Sequence, residues 1–285
     1  MIRVLSFGEV LWDISPIYQS IGGAPFNFAA HSVQSGVETF LLSAVGDDSL
    51  GRETLRKIID YGIDSRFIFR LKDKKTGICK VDLTEKTNPK YELLSDVAYD
   101  YIPLPHKTNL QFNAIAFGTL ALRSQYNQKT LESLLSEYCY KYVYCDLNLR
   151  EPYYSDETLL FCLKNANILK LSENELEVVC EKFSISEVDT QSALSSLTKK
   201  FSNLKIIVLT IGENGAFAYE KQSDNMDFCS AVKTTVVSTV GAGDAFGAVF
   251  LAEYLKGEEI KVCIQRASAR SALVVASKEA IPPIV

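Results

Sequence analysis

Short β-branched and apolar runs alternate along the chain with stretches whose apolar residues recur at helical spacing. RVLSFGEV ends at Gly8 and Glu9 and suits a buried first strand. In APFNFAAHSVQSG the period changes, with Phe26, Ala29, Ala30 and Val33 at i, i+3, i+4 and i+7. Pro25 fits a first helical position there, and Gly36 the residue just past the end. TFLLSAVG reads as a strand, and Leu50 to Tyr61 as a helix stopped by Gly62. From about Ser65 to Tyr101 the runs RFIFRL, GICKVDL and KYELL, separated by charged and Asn-Pro turn segments, read as hairpin strands of a small separate sheet. The βα rhythm resumes with FNAIAFG, a helix from Gln128 to Tyr140, YVYCDLN, a helix from Asp156 to Asn165, ANILKLS, helices from Glu173 to Phe201, and KIIVLTIG. This order predicts an α/β fold, with a mostly parallel sheet covered by helices on both faces and one inserted hairpin region.

Composition narrows the function. With 285 residues, 47% of them hydrophobic, the chain can bury a full core. A net charge of -5, with basic residues scattered, leaves no footprint for nucleic acid or an anionic membrane, so the expected partners are small molecules. Glu9 and Asp13 interrupt the apolar N-terminus before any secretory pattern develops, and no run is long enough to span a bilayer. The seven cysteines include no C-x-x-C pair and read as reduced core residues of a cytoplasmic protein. His31 and His106 are the only histidines, too few for a histidine-rich zinc site, and read as surface or capping residues.

Ligands of open α/β sheets collect at the carboxyl ends of the strands. Gly8, Glu9 and Asp13 follow the first strand, and IGGAPFN opens the first helix with Gly22, Gly23 and Asn27. Paired glycines let backbone amides approach a ligand, and Asn27 with anionic Asp13 suits a polyol or sugar. A plain tight turn explains the same spacing. STVGAGDAFGAVF is more specific: Gly241 and Gly243 free the N–H groups of Gly241, Ala242 and Gly243 at a helix N-terminus, where an anion is favoured. Asp244 in the first turn is by itself a common helix stabiliser. The small, apolar AFGAVFLAEYL after it predicts a terminus inside the protein, where a carboxylate suits removal of a proton from a hydroxyl beside a transferring phosphoryl group. The loop is neither a Walker A motif nor the G-x-G-x-x-G dinucleotide fingerprint.

GGAPFNFAAHSVQSG followed by VGDDSLG, and later STVGAGDAFGA, resemble the N-terminal and C-terminal signatures of the ribokinase, or PfkB, family of carbohydrate kinases, from Arg3 to Pro282. FGEVLWDISP, GGAPFNFA and DLNLREPYY most resemble its fructokinases, which phosphorylate the C6 hydroxyl of fructose. The resemblance implies a ribokinase-like three-layer αβα sandwich, with a small β-lid from segments near 14–20 and 65–101 that closes over the sugar and is able to pair two subunits. It implies Asp244 as catalytic base, with Gly241, Ala242 and Gly243 as the anion hole. Asp13, Gly22, Gly23 and Asn27 then hold the sugar, and Arg150 reaches toward the substrate or transferred phosphate, where spacing alone allows a surface ion pair. Thr210, Gly212 and Gly215 of TIGENGA lie near ATP, a segment that also reads as a β-turn between strands. In KLSENE, Glu175 keeps the acid that organises magnesium, while Ser172 replaces an asparagine.

The chain departs from the family at its monovalent-cation site. Ser238 stands where the signature has an acid and Glu279 where it has a glycine, so the sequence predicts little or no potassium activation. The reading is therefore an ATP- and Mg2+-dependent sugar kinase, with fructose the favoured acceptor. Kinases for 2-keto-3-deoxygluconate, ribose or a nucleoside, and a catalytically silent sugar or nucleotide sensor, remain alternatives.

Overall fold

The computed structural model describes residues 1–82, 90–186 and 188–283. The strands of the large sheet are β1 (Arg3–Phe7), β4 (Glu38–Gly46), β5 (Ile68–Leu71), β8 (Ala114–Gly118), β9 (Tyr142–Asp146), β10 (Ile168–Ser172), β11 (Ile206–Thr210), β12 (Ala216–Glu220) and β13 (Asn225–Cys229). Their spatial order is β13-β12-β11-β10-β9-β8-β1-β4-β5. All neighbours are parallel except at the β11, β12, β13 edge, which is antiparallel. From β1 the chain builds outward through β4 to β5, then returns to β8 on the other side of β1 and runs on to β11. The order reverses between β1 and β8, and open α/β sheets form their ligand crevice at such a reversal.

Strand alternation sorts the side chains into two layers. Leu5 and Phe7, Leu169 and Leu171, and Ile207 and Leu209 face α3 (Gln125–Glu137), α4 (Asp156–Asn165), α5 (Glu173–Lys182) and α6 (Thr190–Lys200). Val4, Ile168, Ile206 and Val208 pack on the opposite side with α7 (Ala242–Lys256), α8 (Ile260–Val275) and Phe28 of α1 (Ala24–Gln34). α2 (Ser49–Asp60) contributes Ile58 beside α1. The result is the expected mostly parallel sheet between two helical layers.

Two local expectations are corrected. RFIFRL does not join the small sheet: β5 pairs in parallel with β4 and forms the edge of the large one, where the Phe67 ring packs against Phe40 and Phe112. The third helix begins at Gln125, one turn earlier than its apolar spacing suggested, because Ser124 turns the chain and its hydroxyl donates to the Asp100 carbonyl. The small sheet has the order β3-β2-β6-β7, from β2 (Leu11–Ile14), β3 (Gln19–Gly22), β6 (Gly77–Asp82) and β7 (Lys90–Leu93). Residues 14–20 thus span the β2–β3 connection, and the chain after β7 becomes a 3-10 turn at Ala98–Tyr101. The expected Asn-Pro turn at 88–89 lies outside the described residues.

The small sheet is tied to α2 by polar contacts. Asp48 caps α2 by accepting from Gly51 N–H at 2.8 Å, and accepts from the Thr76 N–H and hydroxyl at 2.9 and 2.7 Å. The indole N–H of Trp12 on β2 donates to the Thr54 hydroxyl at 2.8 Å. Both residues are buried, and Trp12 is the chain's single tryptophan. Thr54→Val keeps the shape but orphans the indole N–H, and is expected to destabilise the fold by about 1–3 kcal/mol. Urea unfolding followed by tryptophan fluorescence measures this, and a midpoint equal to wild type would show that the indole finds another acceptor.

Candidate active site

The face of the sheet that α7 covers is apolar near its middle and polar at the carboxyl ends of the strands. By alternation Ser6 shares this face with Val4, Asp146 with Tyr144, and Lys170 with Ile168. A cavity of about 30 Å³ opens at the carboxyl ends of β1, β8 and β9, lined by Ser6, Glu9, Gly118, Tyr144, Asp146 and Asp244 among others. Lys170 is 6% exposed and holds both oxygens of Asp146, at 3.0 and 2.8 Å. Burial pulls the Lys170 ammonium down, but the Asp146 carboxylate outweighs it and holds the group above its ordinary value.

α7 brings its N-terminus over this pair. Gly241 caps the helix in the left-handed region, at φ 81, and a methyl on Gly243 would stand 3.4 Å from Lys170 Nζ. The sequence placed this terminus inside the protein. The helix is buried from Ala245 to Glu253, but Gly243 is exposed and Gly241, Ala242 and Asp244 are half-buried, so the tip is open while the body is enclosed. Of the three expected donors, Ala242 N–H turns to the Thr239 carbonyl at 3.3 Å. Among the described residues the N–H groups of Gly241, Gly243 and Asp244 meet no acceptor. Such open donors at a helix N-terminus favour an anion.

Asp244 Oδ2 accepts from Asn27 Nδ2 at 2.8 Å, which joins the first turns of α1 and α7. Burial raises the Asp244 carboxyl, and the Asn27 hydrogen bond, Lys170 and Arg150 oppose the rise. The other Asn27 amide atom, Oδ1, is buried with no partner, which leaves an acceptor for a ligand hydroxyl. Gly23, at φ 111, brings the start of α1 against the chain after β1: a methyl there would stand 2.6 Å from the Glu9 carbonyl.

Asp13 lies within β2, not in a loop after the first strand, because the chain turns directly from β1 into the small sheet. It sits across from Cys79 on β6, and its Oδ2 lies 2.9 Å from where a methyl on Gly22 would stand. Burial raises its carboxyl, against a hydrogen bond from the Cys79 thiol. Arg150 is exposed beyond β9 and makes no ion pair among the described residues. Its charge is felt by Asp244 on one side and by Cys79 and Tyr91 of the small sheet on the other.

Thr210 ends β11, next to β10, and its hydroxyl donates to the Leu171 carbonyl at 3.5 Å. Gly212 (φ 56) faces open space, whereas a methyl on Gly215 would stand 2.1 Å from the Cys229 carbonyl, so Gly215 is required by the turn into β12. Glu175 forms a capping box with Ser172: its oxygens accept from Leu149 N–H and Ser172 N–H, both at 2.7 Å. Each oxygen keeps a lone pair. His31, expected in a surface or capping role, is wholly buried.

Sequence reading missed Lys170, Asp146, Tyr144 and the role of Glu9 in this face. A lysine inside the apolar strand ILKLS was a usable signal, since a buried lysine requires a partner. Nothing local announced that Asp146 was that partner.

The model of the pfkB family carbohydrate kinases matches residues 3–285. The chain belongs to that family. It is therefore a carbohydrate kinase, a phosphotransferase. It is 26% identical to an ATP-dependent 6-phosphofructokinase of Thermoanaerobacterium thermosaccharolyticum, over 94% of this chain and 86% of that one. It is also 26% identical to a probable fructokinase-2 of Arabidopsis thaliana, over 99% of this chain and 92% of the relative. A solved double mutant of a fructokinase of Vibrio cholerae O395, bound to fructose, ADP and potassium, superposes with a TM-score of 0.85 at 22% identity, covering 99% of this kinase and 94% of its own chain. The fold of this kinase is ribokinase-like. No described helix is long and apolar enough to cross a membrane.

Glu9 gives the kinase a measurable pH dependence. It is 3% exposed, Oε1 accepts from Ala24 N–H at 3.2 Å, and burial first, then the Asp244 charge, raises its carboxyl from 4.5 to about 7 against that hydrogen bond. Below the ordinary value both folded and unfolded chains hold the proton. As pH rises toward about 7 the unfolded chain ionises first, and the folded state loses stability, about 3 kcal/mol in all. Glu9→Gln keeps the acceptor for Ala24 and removes this loss. Its thermal midpoint is expected to exceed wild type at pH 8 and to match it near pH 4.5, and the same difference at both values would contradict the assignment.

Proposed function

We propose that this kinase transfers the γ-phosphoryl group of ATP to a primary hydroxyl of a small sugar, with D-fructose, giving fructose 6-phosphate, as the favoured acceptor. One observation carries the reading: Asp244, oriented by Asn27, stands at a helix N-terminus whose Gly241 and Gly243 N–H groups are open. Asp244 takes the proton of the sugar hydroxyl, and the open donors stabilise charge on the transferring phosphoryl oxygens. Lys170 on β10, paired with Asp146, places its ammonium against Gly243 on the same side. Asp13, Gly22, Gly23 and the unpartnered Asn27 Oδ1 hold sugar hydroxyls.

ATP lies along the carboxyl ends of β10 and β11, past Thr210 and Gly212, with its phosphates at Gly241 and Gly243. Magnesium, when bound with ATP, would supply positive charge against the phosphate oxygens. Glu175 is the acid available to its waters. The small sheet serves as a lid that closes over the sugar and excludes water, and its outer surface pairs two subunits. The enzyme works in the cytoplasm.

The fructose preference rests on GEVLWD and GGAPFNFA and on relatives that include fructokinases. Arg150 favours a second acceptor class. Exposed and without an acidic partner among the described residues, it is free to meet the carboxylate or phosphate of an acidic sugar. ATP consumption across ketoses, aldoses, sugar acids and sugar phosphates separates the two. Fructose turnover unaffected by Arg150→Ala supports the neutral sugar, and turnover confined to acidic sugars overturns it. In either case Asp244→Asn is expected to lower turnover by about 10²-fold to 10⁴-fold. Activity near wild type would remove the base.

Potassium is expected to have little effect on turnover. The neutral Ser238 hydroxyl accepts from Val240 N–H at 3.3 Å, and Glu279 is exposed, so no buried carboxylate is present at either position to bind a monovalent ion. Assays in potassium and in tetramethylammonium salts at equal ionic strength measure this, and a large potassium-dependent rise refutes it.

A further inference from the structure

The N-terminal turn of α7 is held from behind by the end of α8 and the segment that follows it. The Val275 carbonyl accepts from Val237 and Ser238 N–H at 2.9 and 3.2 Å, and the Ser271 hydroxyl donates to the Ala242 carbonyl at 3.2 Å. Ala280 presses directly on the cap: a methyl on Gly241 would stand 2.8 Å from Ala280 Cβ and 2.9 Å from its carbonyl oxygen. With Ala280 here, the cap position has room only for glycine.

Ala280 is held by a group that the transfer reaction does not use. His31, wholly buried on α1, has Nε2 2.9 Å from the Ala280 carbonyl, and its Nδ1 lies 3.3 Å from both Nε and Nη2 of Arg270 on α8. A guanidinium only donates, so Nδ1 accepts, and the ring proton is on Nε2, donating to Ala280. Burial and the Arg270 charge push His31 down to about 4 against the pull of the carbonyl, so the ring is neutral in this arrangement. Arg270 also donates to the Gln34 side-chain oxygen and, at 2.8 Å, to the Pro282 carbonyl, which Gln34 Nε2 reaches at 3.1 Å. Among the described residues no carboxylate pairs with Arg270. Its donors go instead to neutral acceptors that define one position of residues 280–282.

We propose that His31 and Arg270 form a latch that seats Ala280 against Gly241 and so positions the open donors of α7 for the transferring phosphate. Both are positioning residues, and the inference rests on the phosphoryl-transfer reading above. The latch links the body of α1 to the α7 tip by a route separate from the Asn27–Asp244 contact.

Two substitutions separate the two faces of the ring. Asn in place of His31 keeps an acceptor near the Nδ1 position but cannot reach Ala280; Gln keeps a donor near the Nε2 position and gives up the acceptor. His31→Asn is expected to lower kcat about tenfold with the sugar KM unchanged, as for an interaction realised only in the transition state. It is also expected to speed hydrogen exchange across residues 237–244. His31→Gln is expected to retain most of both properties. Wild-type exchange in the Asn variant, or equal losses in the Asn and Gln variants, overturns the latch. Should neither His31 variant fold, Arg270→Gln is read in the same two ways. Hydrogen exchange judges the latch whether or not transfer occurs, whereas full turnover by Asp244→Asn would sink the transfer reading alone.

Discussion

An ammonium group buried in a sheet must be neutralised where it stands, and in this protein that requirement organises the site. Lys170 takes Asp146 from the next strand with both carboxylate oxygens. Removing either partner would leave a buried charge, at a cost of about 3–5 kcal/mol. The pair also fixes what can lie above it. Gly243 admits the α7 tip to within van der Waals reach of Nζ, and Gly247 one turn on leaves room for the Tyr144 hydroxyl. The small residues of α7 thus have a packing reason as well as a chemical one.

The same pair sets the electrostatic balance of the cavity. Three carboxyl groups, Glu9, Asp146 and Asp244, line it near the single Lys170. Burial above all keeps the proton on Glu9 up to about pH 7, burial also raises Asp146 to about 6 against the pull of Lys170, and Asp244 remains beside the open end of the helix dipole. The carboxylate with a free role is the one aligned with the open N–H groups. Asn27 orients it, and Arg150 and Lys170 oppose the rise that burial imposes on it.

The rest of the fold holds this tip at the topological reversal of the sheet. α1 reaches it through Asn27 in its first turn and through His31 nearer its end, and α8 through Ser271 and Val275. The small sheet is anchored separately, through Asp48, Thr76 and the Trp12 indole, to α2. The small sheet is also continuous with α1, since β3 ends at Gly22 and α1 begins at Ala24, so α1 links it to the α7 tip.

The local pattern of the chain was sufficient for the strand and helix alternation, the parallel sheet, the glycines that open α1 and the glycine-acid helix tip, because each is written in residues close together in sequence: Gly22 to Asn27, Gly241 to Asp244, and strand runs of period two. What lay outside that reach needed partners from distant segments. RFIFRL has the look of a hairpin strand, and only the free edge of β4 draws it into the large sheet. Asp146 and Lys170 are 24 residues apart, and His31 and Arg270 are 239 apart, so no window of sequence shows either pair. Helix and strand periods follow from backbone geometry that every residue carries with it, whereas a buried charge or a neutral histidine acquires its meaning only from the group the folded chain sets against it.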